Sequence, residues 1–327
     1  MKKTIKFSLI TLSILMVGGC MQPDKPELSD AEHRSIKSQK TTYSDALRNA
    51  NDMIDIFHGK TVYIYVSPIK NKTAEKGKVP PDLSVVVNGG FNKIGQRVAV
   101  IDDPNRQFSL GKSKLYKING AITQFDVTDN TGSGLKGSGQ GTYGGQQGVV
   151  DAGMKSGDKT TELTLSFNPV NPSTGLLVPR TSTENQIIVK KKSNSNEFAF
   201  SILGSGIGIN NAVSKSHGIH ASLKILVELS IVEALGKLTK YPYWLLTGGE
   251  ANPDITSYLS RKFLSDKLDR KIQKISYLFA LRGEKVETTK MISNNLKQII
   301  IKYKTSHGMP ANDNIDRKLY MSLLNGV

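Results

Sequence analysis

One thiol and five histidines are the side chains of this 327-residue chain best suited to nucleophilic, acid–base or metal chemistry. Their spacing argues against all three. Cys20 is the sole cysteine, and His33, His58 and His307 stand apart from any partner. Only His217 and His220 fall three residues apart, at a helix start, and no nearby carboxylate or thiol completes a metal set. Gly137, Gly139 and Gly141, like Gly204, Gly206 and Gly208, are spaced as in phosphate loops, yet neither run opens a helix within a βαβ unit. Asp102-Asp103 ends a strand and closes with Pro104, as an ordinary turn does. These residues predict a protein with no catalytic residue, no metal and no cofactor.

Chemistry of another kind centres on Cys20. Lys2, Lys3 and Lys6 precede an uncharged, mostly apolar run from Phe7 to Val17, which ends in Val17-Gly18-Gly19-Cys20. A basic segment, a short apolar stretch and small residues before a cut site describe a secretory signal. With cysteine at the cut, it resembles the signal of bacterial lipoproteins. That resemblance implies acylation of the Cys20 thiol, which becomes the first residue after cleavage, so the covalent lipid is the only added group expected. Met21, in place of Asp, resembles an outer-membrane address. Acyl chains contribute about 0.8 kcal/mol per buried methylene and hold a chain at a bilayer without a spanning helix. No later segment has the roughly 18 apolar residues that a helical span needs.

The formal charge is +16, and loss of Lys2, Lys3 and Lys6 with the signal leaves +13. Such a balance favours acidic partners, whether nucleic acid, anionic glycans or lipid head groups, or serves as a solubilising surface field. An exported chain makes nucleic acid a poor first choice unless it serves a DNA-transfer machine.

Four parts follow the signal at 1–19. Residues 20–50 are polar, with Pro23, Pro26 and few bulky apolar groups, and read as a lipidated tether. A compact α/β stretch begins near residue 60. Thr61–Ser67 is β-branched and aromatic and stops at Pro68; Leu83, Val86, Val87, Phe91 and Ile94 recur at helical spacing; Arg97–Ile101 is a second strand. Ten glycines then fall between Gly132 and Gly157. Beyond them Thr161–Phe167 alternates, with Leu163, Leu165 and Phe167 on one face. Glu197–Ile209 alternates too, with Phe198, Phe200 and Ile202 together before the register shifts to Ile207 and Ile209. Strands apolar on one face and small or polar on the other mark membrane-spanning β-hairpins, and soluble hairpins packed on a core give the same pattern. A helix from about His220 to Leu238 is apolar around most of its circumference and is expected to be buried. Residues 248–327 read as a separate basic helical extension, with Asp254 and Ser265 as N-caps, and with Met291 and Ile292 inside its last helix.

The order of elements resembles the curli secretion channel family of outer-membrane lipoproteins. The residues that carry the likeness are strand 61–67 with Asn71-Lys72-Thr73, Ile118–Thr123, Leu163–Phe167 followed by Asn171-Pro172-Ser173-Thr174-Gly175, and His217–His220 before the buried helix. It covers about residues 60–246. The resemblance implies an α+β fold: a periplasmic α/β domain at 51–247, with amphipathic hairpins at about 120–167 and 183–217 contributing to a shared oligomeric transmembrane barrel. Leu163, Leu165, Phe167, Phe198, Phe200, Ile202, Ile207 and Ile209 are then the membrane-facing candidates. The partners implied are further copies of the chain in a ring, the outer membrane and an exported polypeptide such as an adhesin, fibre subunit or secretion substrate. Residues 248–327 are candidates for docking other secretion-apparatus or cell-wall components. Two departures matter: the loop at 74–83 has none of the aromatic or amide side chains of that family's constriction, so no constriction is carried over, and the C-terminal extension after Gly248 is longer than the resemblance implies. The second functional class is a lipid-tethered periplasmic binding or scaffold protein that forms no pore.

Overall fold

The computed structural model describes residues 44–74, 79–103, 114–129, 159–191, 198–204, 214–216 and 219–325. Helix α1 (Ser44–Met53) buries Leu47, Ala50 and Met53 and continues as one π-turn, Ile54–His58, which ends at left-handed Gly59. The expected tether therefore stops short of residue 50, because α1 already carries a core-facing stripe. Strand β1 (Val62–Val66) alternates buried Val62, Ile64 and Val66 with tyrosines, and Pro68 follows it. After the two-residue β2 (Lys70–Asn71), helix α2 (Ser84–Asn92) crosses to β3 (Val98–Val100), which pairs parallel to β1.

Five strands, each antiparallel to the next, make up the rest of the sheet. They are β4 (Lys114–Asp129), β5 (Lys159–Val170), β6 (Thr183–Lys191), β7 (Phe198–Gly204) and the short β8 (Ser214–Ser216). The fold is α+β, with one open sheet in the order β3-β1-β4-β5-β6-β7-β8 and β2 beside β4. Between β5 and β6 the Asn171–Gly175 turn closes as its residue types demand. Asn171 Oδ1 accepts from Ser173 N at 3.0 Å, and Gly175 supplies φ +70°.

Helix α3 (Ile219–Thr239) lies along β5 and β6, with α1 and α2 packed beside it. Its buried Leu226, Val227, Leu229, Ile231, Val232 and Leu235 leave no solvent face over these turns. The short α4 (Trp244–Thr247) follows, and Gly236 admits the Tyr243 ring: a Cβ there would stand 2.4 Å from Tyr243 Cβ.

Beyond Gly248 come α5 (Pro253–Ser265), α6 (Leu268–Leu281), α7 (Asn294–Ser306) and α8 (Arg317–Asn325). The caps differ from the sequence expectation. Asn252 accepts from Ile255 N with Pro253 in the first turn, so Asp254 sits inside α5 rather than before it. Ser265 ends α5, and Ser293 caps α7. Met291 and Ile292 precede that cap and are exposed. Nor is this region separate, since its apolar stripes join the common core. Trp244 Nε1 donates to Leu324 O at 2.7 Å, and Tyr277 Oη donates to Asn49 O at 3.1 Å.

Candidate functional site

The β4–β7 ribbon presents two chemically different faces, and its register assigns each residue to one of them. Gly120 pairs with Phe167, Ile122 with Leu165 and Phe125 with Leu163, the register shifting by a bulge at Thr123. Leu163 then pairs with Ile187, and Ile187 with Ile202. These residues share the face turned toward α3. Leu165 and Phe167 are fully buried, and Leu163, Ile187, Phe200 and Ile202 nearly so.

The opposite face is hydrophilic. Thr164 Oγ1 donates to Gln124 Oε1 at 3.1 Å, and Gln124 Nε2 donates to Asp126 Oδ2 at 2.6 Å. Gln186 Nε2 reaches Glu162 Oε2 at 3.3 Å. Gln124 and Asp126 are exposed and Glu162 and Gln186 half-buried, with Thr164 buried among them, so these amides and carboxylates can exchange hydrogen bonds with a polar partner along three strands. This face holds no nucleophile–base pair. Among the described residues no group of three His, Cys, Asp or Glu could hold a metal ion, and no helix is long and apolar enough to cross a membrane.

Both hairpins turn at the same end of the sheet, because Asp129 pairs with Lys159 and Lys159 with Lys191. The β4–β5 connection spans residues 130–158, and the β6–β7 connection only 192–197. Polar groups also lock the apolar face to α3. Asn185 Nδ2 donates to Glu233 Oε2 at 2.8 Å and lies 3.0 Å from Ser230 Oγ. Lys237 Nζ, one turn on, bonds Glu233 Oε1 at 2.8 Å and Ser182 O at 2.8 Å. Gly204 opposite leaves room for the amide, since a Cβ there would stand 1.8 Å from Asn185 Oδ1. A carboxylate this buried persists only when bonded on several sides.

The structure therefore places five membrane-facing candidates, Leu163, Leu165, Phe167, Phe200 and Ile202, in the core beneath α3. Contact with lipid would require these strands to leave that helix. Phe198 lies in β7 at the hairpin end. Cys20, Ile207 and Ile209 lie outside the described residues, as do His33 and His217. His220 is in the first turn of α3, His58 ends the π-turn, and His307 stacks on Tyr303 with ring centroids 3.9 Å apart. Sequence reasoning missed Asn185 and Glu233. Their signal was an amide and a carboxylate at positions where the surrounding pattern demands apolar side chains.

No family model matches this sequence, and no curated protein does. Among solved structures, a neuraminyllactose-binding hemagglutinin homolog from Helicobacter pylori aligns over 62% of this chain and 91% of its own. Its identity is 10% and its TM-score 0.27, a likeness too low to carry an argument about fold or function. None of these findings supports membership of the curli secretion channel family.

Proposed function

We propose that this chain is a lipid-tethered binding or scaffold protein of a bacterial envelope, held at the outer membrane through Cys20 and working without bond chemistry. The observation that carries this reading is the burial of Leu163, Leu165, Phe167, Phe200 and Ile202 against the α3 side of the sheet. A strand that spends its apolar face on a helix has none left for lipid. Length points the same way. A membrane-spanning strand takes about 9–11 residues, and the sequence between β6 and β7, residues 192–197, is shorter than one such strand. Binding would use the polar face around Gln124, Asp126, Glu162 and Gln186, with the basic C-terminal helices bracing the sheet through the shared core.

A second reading, an oligomeric export channel for a polypeptide, is favoured by one observation: the hairpin ends lie side by side, and residues 130–158 are long enough for one spanning hairpin. A closed ring of copies would also satisfy the strand edges that lipid leaves unpaired. Negative-stain electron microscopy of the full-length lipoprotein, extracted from outer membranes in mild detergent, separates the two. Small monodisperse particles, soluble without detergent once Cys20 is replaced by Ser, support the tethered module. Rings of uniform diameter with a stained centre overturn it in favour of the channel.

A further inference from the structure

At the start of the sheet, opposite the hairpin ends, four elements bring cations together. The π-turn ends in His58, and Lys60 follows two residues on. The β1–β4 register sets Lys114 beside Val62, so Lys60 and Lys114 stand at neighbouring strand starts. From α5, Lys262 Nζ reaches across to donate to Phe57 O, one residue before His58. From the end of α3, Lys240 lies 5.0 Å from the Tyr258 ring centroid, and Lys262 lies 5.9 Å from the same ring. Lys240 holds a left-handed backbone, φ 61°, which a side chain other than glycine rarely adopts.

Around His58 the described charges are of one sign. Burial is the largest cause of its lowered pKa, Lys262, Lys114 and Lys60 add to it, and a hydrogen bond to the Thr239 backbone opposes it. Two carboxylates border the group: Asp55 is paired with Arg97, and Asp266 is paired with Lys274 while also acting on Lys262. Like charges held together are unfavourable on their own, and an anion relieves the repulsion. A phosphate group is rich in acceptors and carries a charge of about −2 as the free ion or a monoester and about −1 as a lipid diester, so it matches flexible ammonium donors converging from several elements.

We propose that His58, Lys60, Lys114, Lys240 and Lys262 form a binding site for a phosphate group, carried by a lipid headgroup or by a soluble phosphate. The site does not depend on which assembly the chain forms.

The test follows the His58 ring resonance by NMR in the full-length lipoprotein, assigned by its loss in His58→Gln. Inorganic phosphate is titrated at constant ionic strength in detergent, with chloride as the matched control. The expected result is a saturable shift and a rise in the His58 pKa, because a bound anion favours the imidazolium. Replacing the exposed Lys60 and Lys240 by Gln should weaken binding about tenfold, with the thermal midpoint unchanged. Nanodiscs of phosphatidylcholine with or without phosphatidylglycerol identify the source. A shift already present in phosphatidylglycerol nanodiscs without added phosphate, and absent from phosphatidylcholine alone, assigns a headgroup, whereas a shift that appears in neither nanodisc until free phosphate is added assigns a soluble ligand. A response that never saturates, that chloride reproduces, or that the double variant retains in full overturns the site.

Discussion

Asn185 on β6 and Glu233 on α3 are joined by a 2.8 Å hydrogen bond in the middle of the otherwise apolar interface between sheet and helix. The bond fixes the register of the helix on the ribbon, because Lys237, one turn further, clamps both Glu233 and the Ser182 carbonyl. Truncating Asn185 to Ala removes one donor from a carboxylate that keeps Lys237, and should cost about 1–3 kcal/mol. Glu233→Ala strands a lysine that is itself largely buried, and should cost about 3–5 kcal/mol. Urea unfolding of the signal-less Cys20→Ser protein measures both, and the double variant should cost less than the sum.

Leu165 is fully buried between Ile122 and Asn185 across the strands. As a core residue its replacement by Ala should destabilise the detergent-free protein by about 2–5 kcal/mol. A lipid-facing leucine would leave the detergent-free form unaffected, so the same unfolding experiment checks the assignment.

Lys274 is buried on α6, where burial lowers its pKa and Asp266 partly restores it. Removing the acid should therefore hurt more than removing the pair's buried cation. Asp266→Ala is expected to cost about 3–5 kcal/mol, and Lys274→Met clearly less, since it trades a desolvated charge for an apolar chain of similar length. Thermal midpoints of the two variants, measured side by side, should show this order.

His58 supplies a pH dependence. Its folded-state pKa is lowered, first by burial and then by the lysines around it. Below the unfolded value of 6.5 the unfolded chain binds the proton more readily, so stability falls as pH drops from about 6.5 through the folded pKa. Stability should be level above that window as far as this group is concerned. His58→Gln should reduce the fall of thermal midpoint as pH drops below about 6.5.

The strand Thr61–Ser67, the buried helix near 220–238 and the turn at Asn171–Gly175 were legible because local chemistry alone dictates them: β-branched runs, apolar residues on every side, and an Asn–Gly pair at the right spacing. The alternation at Thr161–Phe167 was legible as a strand with two unlike faces. What covers the apolar face was not. Lipid and a helix both accept Leu163, Leu165 and Phe167, and alternation does not record which of them is present. The polar lock at Asn185 and Glu233 carries that information, but only once the register places the two together. The C-terminal helices read as separate because their partners, Trp244 for Leu324 and Asn49 for Tyr277, lie far away in sequence.

The central claim is that α3, and not lipid, covers the apolar face of the hairpin strands when the protein is placed in a bilayer. Phe200 lies on that face and is 2% exposed. A single tryptophan placed there, Phe200→Trp with Trp244→Phe, can be read by fluorescence in proteoliposomes whose acyl chains carry bromine. Emission unquenched by the brominated lipid is the result predicted here. Strong quenching that deepens as the bromine approaches the bilayer centre would contradict it and put strand β7 in the membrane.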